Sequence, residues 1–356
     1  MSVQLKKLTA LILVLSFVLV VSACSGGGDG KPTDAAGKAP TKDKVALKVG
    51  HLNISSGAGT YIALEKGYFE KEGISVELNA FKTAGDEIPL LATGELDVGV
   101  GAINAGLFNA AGRGIPLKLV ADHGTSLPGH SASSVAVRKD LIDDGKFKDY
   151  SDFKGKKVAI SGNGSSSSIL VDMALQKGKV DPKDVSVVVM GFPEMLTAFK
   201  NKGIDIAIFQ EPLTTQAIEQ GLVVRWKGAD EIYPNSQIAS VMFSPKFMKE
   251  KPEIAKKYTK AYLMGVRDYV NAFDKNINKK EIVDILMKYT SIKDPVLFDK
   301  MVPSGINPNG KLNKQGLKDD LAWYEAHGFI EKKPNLDELI DEQFVEAALK
   351  ELGEYK

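Results

Sequence analysis

LDVGV (Leu96–Val100) and IDIAIF (Ile204–Phe209) place an aspartate at the head of an apolar run twice, 108 residues apart. Around these two runs the chain repeats its pattern. Val45, Leu47 and Val49 alternate, as do Ile74, Val76 and Leu78, and apolar runs follow at Leu96–Val100 and Leu117–Val120, all reading as strands. Between them, helical segments at Tyr61–Lys66, Glu87–Thr93 and Asn104–Ala111 close at Gly67, Gly94 and Gly112, where the chain can leave through a left-handed residue. A second series runs through Lys157–Ile160, Ser166–Gln176, Val185–Met190, Glu194–Lys200, Ile204–Phe209, Leu213–Glu219 and Leu222–Trp226. Val158 follows Val49, and Val187 follows Leu78, by 109 residues each. Two similar α/β lobes are predicted, and two lobes make a cleft.

Only Ser133–Arg138 and Gln237–Phe243, both extended and β-prone, look able to connect the lobes as a two-strand hinge that permits closure. The predicted fold class is α/β, each lobe a mostly parallel sheet flanked by helices. Residues 45–135 plus 237–356 form the first lobe and 136–236 the second. The chain beyond Phe243 reads as helical: Pro252 suits a first turn, and Ile254, Tyr258, Tyr262, Val266, Tyr269 and Phe273 form an apolar stripe. Further helices are predicted near Lys280–Tyr289, Asn313–Ala326 and Leu336–Leu352.

Of 356 residues, 46 Lys and Arg offset 45 Asp and Glu, a formal +1, so no global field draws a polyanion and nucleic acid is not an expected partner. The single cysteine, Cys24, excludes an intrachain disulfide framework, a cysteine zinc site and an iron–sulfur cluster. Lys6 and Lys7 precede thirteen uncharged, mostly aliphatic positions, Leu8–Val20, and then Val21, Ser22, Ala23 and Cys24. That run is shorter than the roughly 18 residues that argue for a spanning helix, so residues 1–23 read as an export signal. Val-Ser-Ala-Cys resembles the bacterial lipobox, which makes Cys24 the expected lipidation site and the extracytoplasmic face of the cell membrane the expected location. Residues 24–44 offer no core-forming side chain and read as a tether.

In open α/β sheets, ligands bind outside the carboxyl ends of the strands. Two loops there, HLNISSGAGT (His51–Thr60) and SGNGSSS (Ser161–Ser167), share small residues, hydroxyls and a following helix. Both can hold oxygen atoms on backbone amides without a formal cation. Ser55, Ser56, Gly57, Ser165, Ser166 and Ser167 are therefore candidate ligand contacts. Neither loop carries Lys or Arg, so a bare polyphosphate would find little compensation. A sulfonate or carboxylate held by amides fits, as does a neutral or amine-bearing heteroaromatic that meets Glu211 and stacks on Phe81, Phe192 or Phe209. His123, after a strand, is a candidate hydrogen-bond donor in the cleft.

Catalytic patterns fail on inspection. Gly162-Asn163-Gly164-Ser165 lacks the third glycine of a dinucleotide loop, and no phosphate-binding GxxxxGK[ST] occurs. Gly129-His130-Ser131-Ala132-Ser133 approaches a nucleophile elbow but ends on serine. The four histidines, 51, 123, 130 and 327, lack metal-ligand spacing. Neither a metal nor a cofactor is expected, and no enzyme activity.

Gly67-Tyr68-Phe69, Gly94-Glu95-Leu96-Asp97-Val98-Gly99-Val100, Gly114-Ile115-Pro116-Leu117-Lys118, Gly155-Lys156-Lys157-Val158 and Gln210-Glu211-Pro212 together resemble the nitrate/sulfonate/taurine and thiamine-pyrimidine-precursor branch of ABC-importer solute-binding proteins. The likeness covers about Val45 to Phe273. It implies a type II periplasmic-binding fold, a ligand in the cleft, and delivery to a membrane permease and its ATPase by a monomeric receptor. It also implies contacts at Ser55, Ser56, Asn104, Ser165–Ser167 and Glu211. The yeast pyrimidine synthase that resembles these proteins relies on a cysteine-rich CCCFC motif, absent here. A serine-dependent surface hydrolase, with His123 or Glu211 as base, and a sensor docking on a receptor kinase are the competing expectations.

Overall fold

The computed structural model describes residues 44–52, 57–81, 84–290 and 292–356. The expected export signal and the expected lipidation site, Cys24, lie outside them. Two five-stranded mixed sheets are built from β1 (Val45–His51), β2 (Ile74–Ala80), β3 (Val98–Ala102), β4 (Lys118–Thr125), β5 (Ser133–Arg138), β6 (Lys157–Ile160), β7 (Ser186–Val189), β8 (Ile206–Gln210), β9 (Val223–Gly228) and β10 (Gln237–Phe243). Their orders are β2-β1-β3-β10-β4 and β7-β6-β8-β5-β9. Each sheet has one antiparallel strand in the fourth place, β10 in the first and β5 in the second.

The repeat seen in the sequence is a repeat of register. Val49 pairs with Leu78 and Val98, and Val158 pairs with Val187 and Ile206. The twin aspartates do the same work in both lobes. Asp97 Oδ2 accepts the Lys48 amide at 2.9 Å, and Asp205 Oδ2 accepts the Lys157 amide at 2.9 Å. Each carboxylate thus satisfies a strand amide that the parallel ladder leaves over, which explains an aspartate at the head of both apolar runs.

Both sheets bury apolar side chains on both faces, as parallel sheets covered by helices must. On the first, the helix Pro252–Asp274 lies close to the helix Ala58–Glu65. A methyl group on Gly265 would sit 2.1 Å from the Gly59 carbonyl oxygen, so only glycine permits that approach.

Two expectations differ from what is observed. The segments read as the hinge, Ser133–Arg138 and Gln237–Phe243, are interior strands of separate sheets, and the chain changes lobe just before each of them. The crossing segments meet there: Ser126 N–H donates to Ser236 O at 2.9 Å and Asn235 N–H to Ser126 O at 2.8 Å. Extended character marked the strands, because the connections themselves carry no apolar periodicity. The single helix predicted over Leu336–Leu352 is broken into Leu336–Leu339 and Gln343–Leu352. Between them Ile340 bridges to Leu119, and the Asp341 amide donates to Leu119 O at 2.9 Å, so edge pairing with β4 displaces a helical turn.

Candidate functional site

A cavity of about 440 Å³ opens between the carboxyl ends of the two sheets. The first lobe contributes Leu52 beyond β1, Gly101 and Asn104 at the end of β3, Thr125 at the end of β4, and Ser304 and Gly305. The second contributes Ser161–Ser167 after β6, Val189 and Phe192 after β7, and Gln210 at the end of β8. Among the described residues the wall holds no Lys, Arg, Asp, Glu or His side chain. Its apolar part is Leu52, Val100, Val189, Phe192 and Ile238.

The loops touch across the cleft. Gly164 O accepts the Ala105 amide at 2.8 Å, and Asn104 and Ser165 form an antiparallel bridge. Asn104 caps the helix Ala105–Gly112: its Oδ1 accepts the Leu107 amide at 3.0 Å and its Nδ2 donates to Ala102 O at 3.1 Å. Ser165 Oγ donates to Gly162 O at 2.7 Å, while Ser161 and Ser167 hydroxyls lie 3.0 Å apart. Spare hydroxyl lone pairs and the first amides of the helix Ser166–Gly178, which have no helical acceptor, therefore supply the polar part of the wall. A Cβ on Gly162 would meet nothing within 4 Å, so this loop presents bare backbone to open space.

Asn104, Ser165, Ser166, Ser167 and Phe192 are thus brought together. Ser55 and Ser56 fall outside the described residues. Gly57 is buried against the Tyr61 ring and off the wall. His123, Phe209 and Glu211 are also off it, each for a packing reason. The His123 Nδ1 is 3.0 Å from Tyr262 Oη, whose proton goes to Asp122 O at 2.8 Å, and burial pushes the imidazole down to about 4, leaving it neutral. Phe209 lies fully buried between Phe192 and Phe199. Glu211 Oε2 accepts the Thr215 amide at 3.0 Å and its Oε1 lies 3.8 Å from Arg225 Nη1; burial raises its pKa, partly offset by Thr215. Gln210, the neighbour of the expected contact Glu211, lines the wall in its place and was not among the expected contacts. Ser304 and Gly305 come from a segment with no periodic signal. Among the described residues no cluster of three or more His, Cys, Asp or Glu could hold a metal ion.

Two lobes sharing a cavity at the ends of sheets ordered in this way have the fold of the periplasmic binding proteins. The alkanesulfonate-binding protein SsuA from Xanthomonas axonopodis pv. citri, bound to MOPS, superposes with a TM-score of 0.68 at 15% identity, over 85% of this chain and 99% of that one. The fold is not confined to binding: the desulfurization enzyme DSZB shares it at a TM-score of 0.61 and 12% identity. The NMT1/THI5-like family model matches residues 55–274, more than half of the chain, and the protein belongs to that family. Among relatives, a Brucella abortus protein named as a binding protein is 28% identical over 254 residues, 70% of this chain and 73% of its own length. The riboflavin-binding protein RibY of Chloroflexus aurantiacus is 25% identical over 354 residues, 95% of this chain and 96% of its own. The resemblance read from the sequence motifs is borne out at the level of the family.

Proposed function

We propose that the protein is the extracytoplasmic solute-binding component of an ABC importer, and that its cargo is a small neutral heteroaromatic molecule. The observation that carries the cargo class is the wall itself, apolar at Val189, Phe192 and Ile238, polar through amides, hydroxyls, Asn104 and Gln210, and without an ionisable side chain among the described residues. An anion moved from water into such a wall would lose hydration with no cation to replace it. A flat ring with hydrogen-bonding edges would lay its faces on the apolar residues and its edges on the amides. A volume near 440 Å³ lies in the range of organic-ligand sites and is generous for a bare oxyanion. The relative named for riboflavin supports the same class.

The remaining parts of this reading are an anchor at Cys24, a tether through residue 44, monomeric action, and transfer to a permease and its ATPase; the lobe boundary expected at residues 135 and 136 moves to just before Ser133, because Ser133–Val135 pair in the second sheet. Hydrolysis is disfavoured by geometry: Ser165 bonds within its own loop, and His123 and Glu211 are held off the wall.

The test is calorimetric titration and thermal shift with riboflavin, aminopyrimidines, alkanesulfonates and nitrate. A heteroaromatic at one hundred times its dissociation constant should stabilise the protein by about 2.7 kcal/mol. Phe192→Ala should weaken that binding about tenfold through lost ring contact. Saturable binding of sulfonate or nitrate alone would overturn the cargo class.

A further inference from the structure

Outside the family-matched residues, the helix Lys314–Ala326 runs along the seam between the lobes and touches the second crossing segment and both lobes. At its start, Asn313 Nδ2 donates to Asn235 O at 2.5 Å, on the second crossing segment. Two turns further, Asp320 Oδ1 accepts Tyr233 Oη of the same segment at 2.9 Å. On the first-lobe side, Leu317, Leu321 and Tyr324 share a core with Phe108 and Met242. The same core takes Ile169, fully buried, from the second-lobe helix Ser166–Gly178.

Near its end the helix reaches the second lobe at Asp172: Trp323 Nε1 donates to Asp172 Oδ2 at 2.7 Å, and His327 Nε2 lies 3.5 Å from the same oxygen. His327 and Phe329 stack on the Trp323 ring at 4.0 and 5.8 Å between centroids. Phe329 is pinned to the first lobe, since its carbonyl accepts Asn109 Nδ2 at 2.8 Å. Its ring rests on Gly164, where a Cβ would come within 3.1 Å of Phe329 Cδ1. Gly164 belongs to the cavity wall and bonds across the cleft to Ala105.

We propose that this helix is a latch for lobe closure, with Trp323 and Phe329 as positioning residues that hold the Gly162–Ser167 loop against the first lobe. The contacts run from the second crossing segment to the cavity loop, and they join groups from opposite lobes. Separation of the lobes at the seam breaks the Trp323–Asp172 bond and withdraws Gly164 from Phe329. The latch therefore favours the closed arrangement and slows escape of whatever the loop contacts. This rests on the binding reading above for its ligand arm and is independent of it for its conformational arm.

The experiment compares the wild-type full chain with Trp323→Phe, Asp172→Asn and Phe329→Ala, with Phe329→Leu as the conservative variant. Small-angle scattering without ligand reads lobe separation. Tryptophan emission, in a Trp226→Phe background that leaves Trp323 as the only indole, reads the latch directly. Riboflavin dissociation is followed by stopped flow. The proposal expects a larger scattering radius in the ligand-free variants and a red-shifted Trp323 emission in Asp172→Asn. Riboflavin dissociation should be about tenfold faster with association nearly unchanged, the size of one lost hydrogen bond to a charged group, and Phe329→Leu should restore it. If Phe329→Ala lowers the thermal midpoint steeply, Trp323→Phe and Asp172→Asn carry the comparison. Unchanged scattering in these variants, with unchanged Trp323 emission in Asp172→Asn, overturns the latch. Failure of the wild type to bind riboflavin counts against the cargo class, while scattering and emission still decide the latch.

Discussion

Glu87→Gln should stabilise the protein, and increasingly so as the pH rises. Glu87 opens the helix Glu87–Thr93 and is fully buried, with neither carboxyl oxygen in a well-formed hydrogen bond. It fits only because two adjacent strands carry glycine beneath it: a Cβ on Gly50 would sit 2.9 Å from its Cδ, and one on Gly99 would sit 2.7 Å from its Oε2. Burial, with the nearby Asp86 charge adding to it, pushes its pKa from 4.5 to about 8, and the Val100 amide offsets only part. Tyr61 and Tyr258 face it, and both stay neutral because burial raises them. A folded-state pKa above the unfolded one gives stability that is complete below about pH 4.5 and is lost as the pH climbs to about 8. Each pH unit in that window costs about 1.4 kcal/mol, so the loss approaches about 5 kcal/mol by pH 9. Glutamine keeps the shape and cannot ionise. Urea unfolding at pH 5, 7 and 9 should give a mutant advantage of about 1 kcal/mol at pH 5, about 3 kcal/mol at pH 7 and about 5 kcal/mol at pH 9. Asp122 and Asp320, raised to about 6 and about 7, tilt both proteins alike and cancel in the difference. A pH-independent difference, or a mutant weaker at every pH, would refute the assignment of an unpartnered buried carboxyl.

Asp97→Ala and Asp205→Ala should each cost about 1.5–3 kcal/mol in urea unfolding, the value of a hydrogen bond to a charged group, and the losses should add because the two lie in different sheets. Asp205→Ala should be the worse, since its Oδ1 also pairs with Arg138 at 3.1 Å. Gly265→Ala should lower stability by on the order of 3 kcal/mol, because the new methyl meets backbone that cannot step aside; a neutral result would mean the two helices are loosely seated. Asn104→Ala should cost about 1 kcal/mol through the lost cap, and Asn104→Ser should recover most of it in thermal unfolding.

The sheets were legible because strand periodicity and the 108- and 109-residue offsets are properties of buried backbone, and the observed registers reuse those offsets. The wall was half legible. Asn104 and Ser165–Ser167 follow from small residues and caps at strand ends, which local chemistry dictates. His123, Phe209 and Glu211 also stand at strand ends, yet side-chain direction decides whether such a residue faces ligand or core, and one step of a strand reverses it. At β8 the choice fell on Phe209 and Glu211, while Gln210 between them faces the cavity. Ser304, Gly305 and the seam contacts of Trp323 and Phe329 arise from tertiary placement of the C-terminal segment, for which no local pattern exists.

Among the described residues, the wall carries no ionisable side chain because the charged groups nearby are held one layer behind it. Asp122 is surrounded by donors from Asn307, Gly124, Thr125 and Gln237, at 2.6 to 3.0 Å. Glu211 is tied to Thr215 and Arg225, His123 is neutral against Tyr262, and Glu87 is protonated near neutral pH beneath the glycines of β1 and β3. None of these groups offers its charge to a ligand. Selectivity must then come from which molecules can replace water at the amides and hydroxyls without bringing a charge of their own. A ligand recognised in this way should bind almost independently of salt, because no ion pair is formed for ions to screen. Titrating riboflavin from low to high ionic strength tests this: affinity should move by less than about twofold. A steep fall would mean that a charged group takes part in binding, and the cargo class would have to be redrawn.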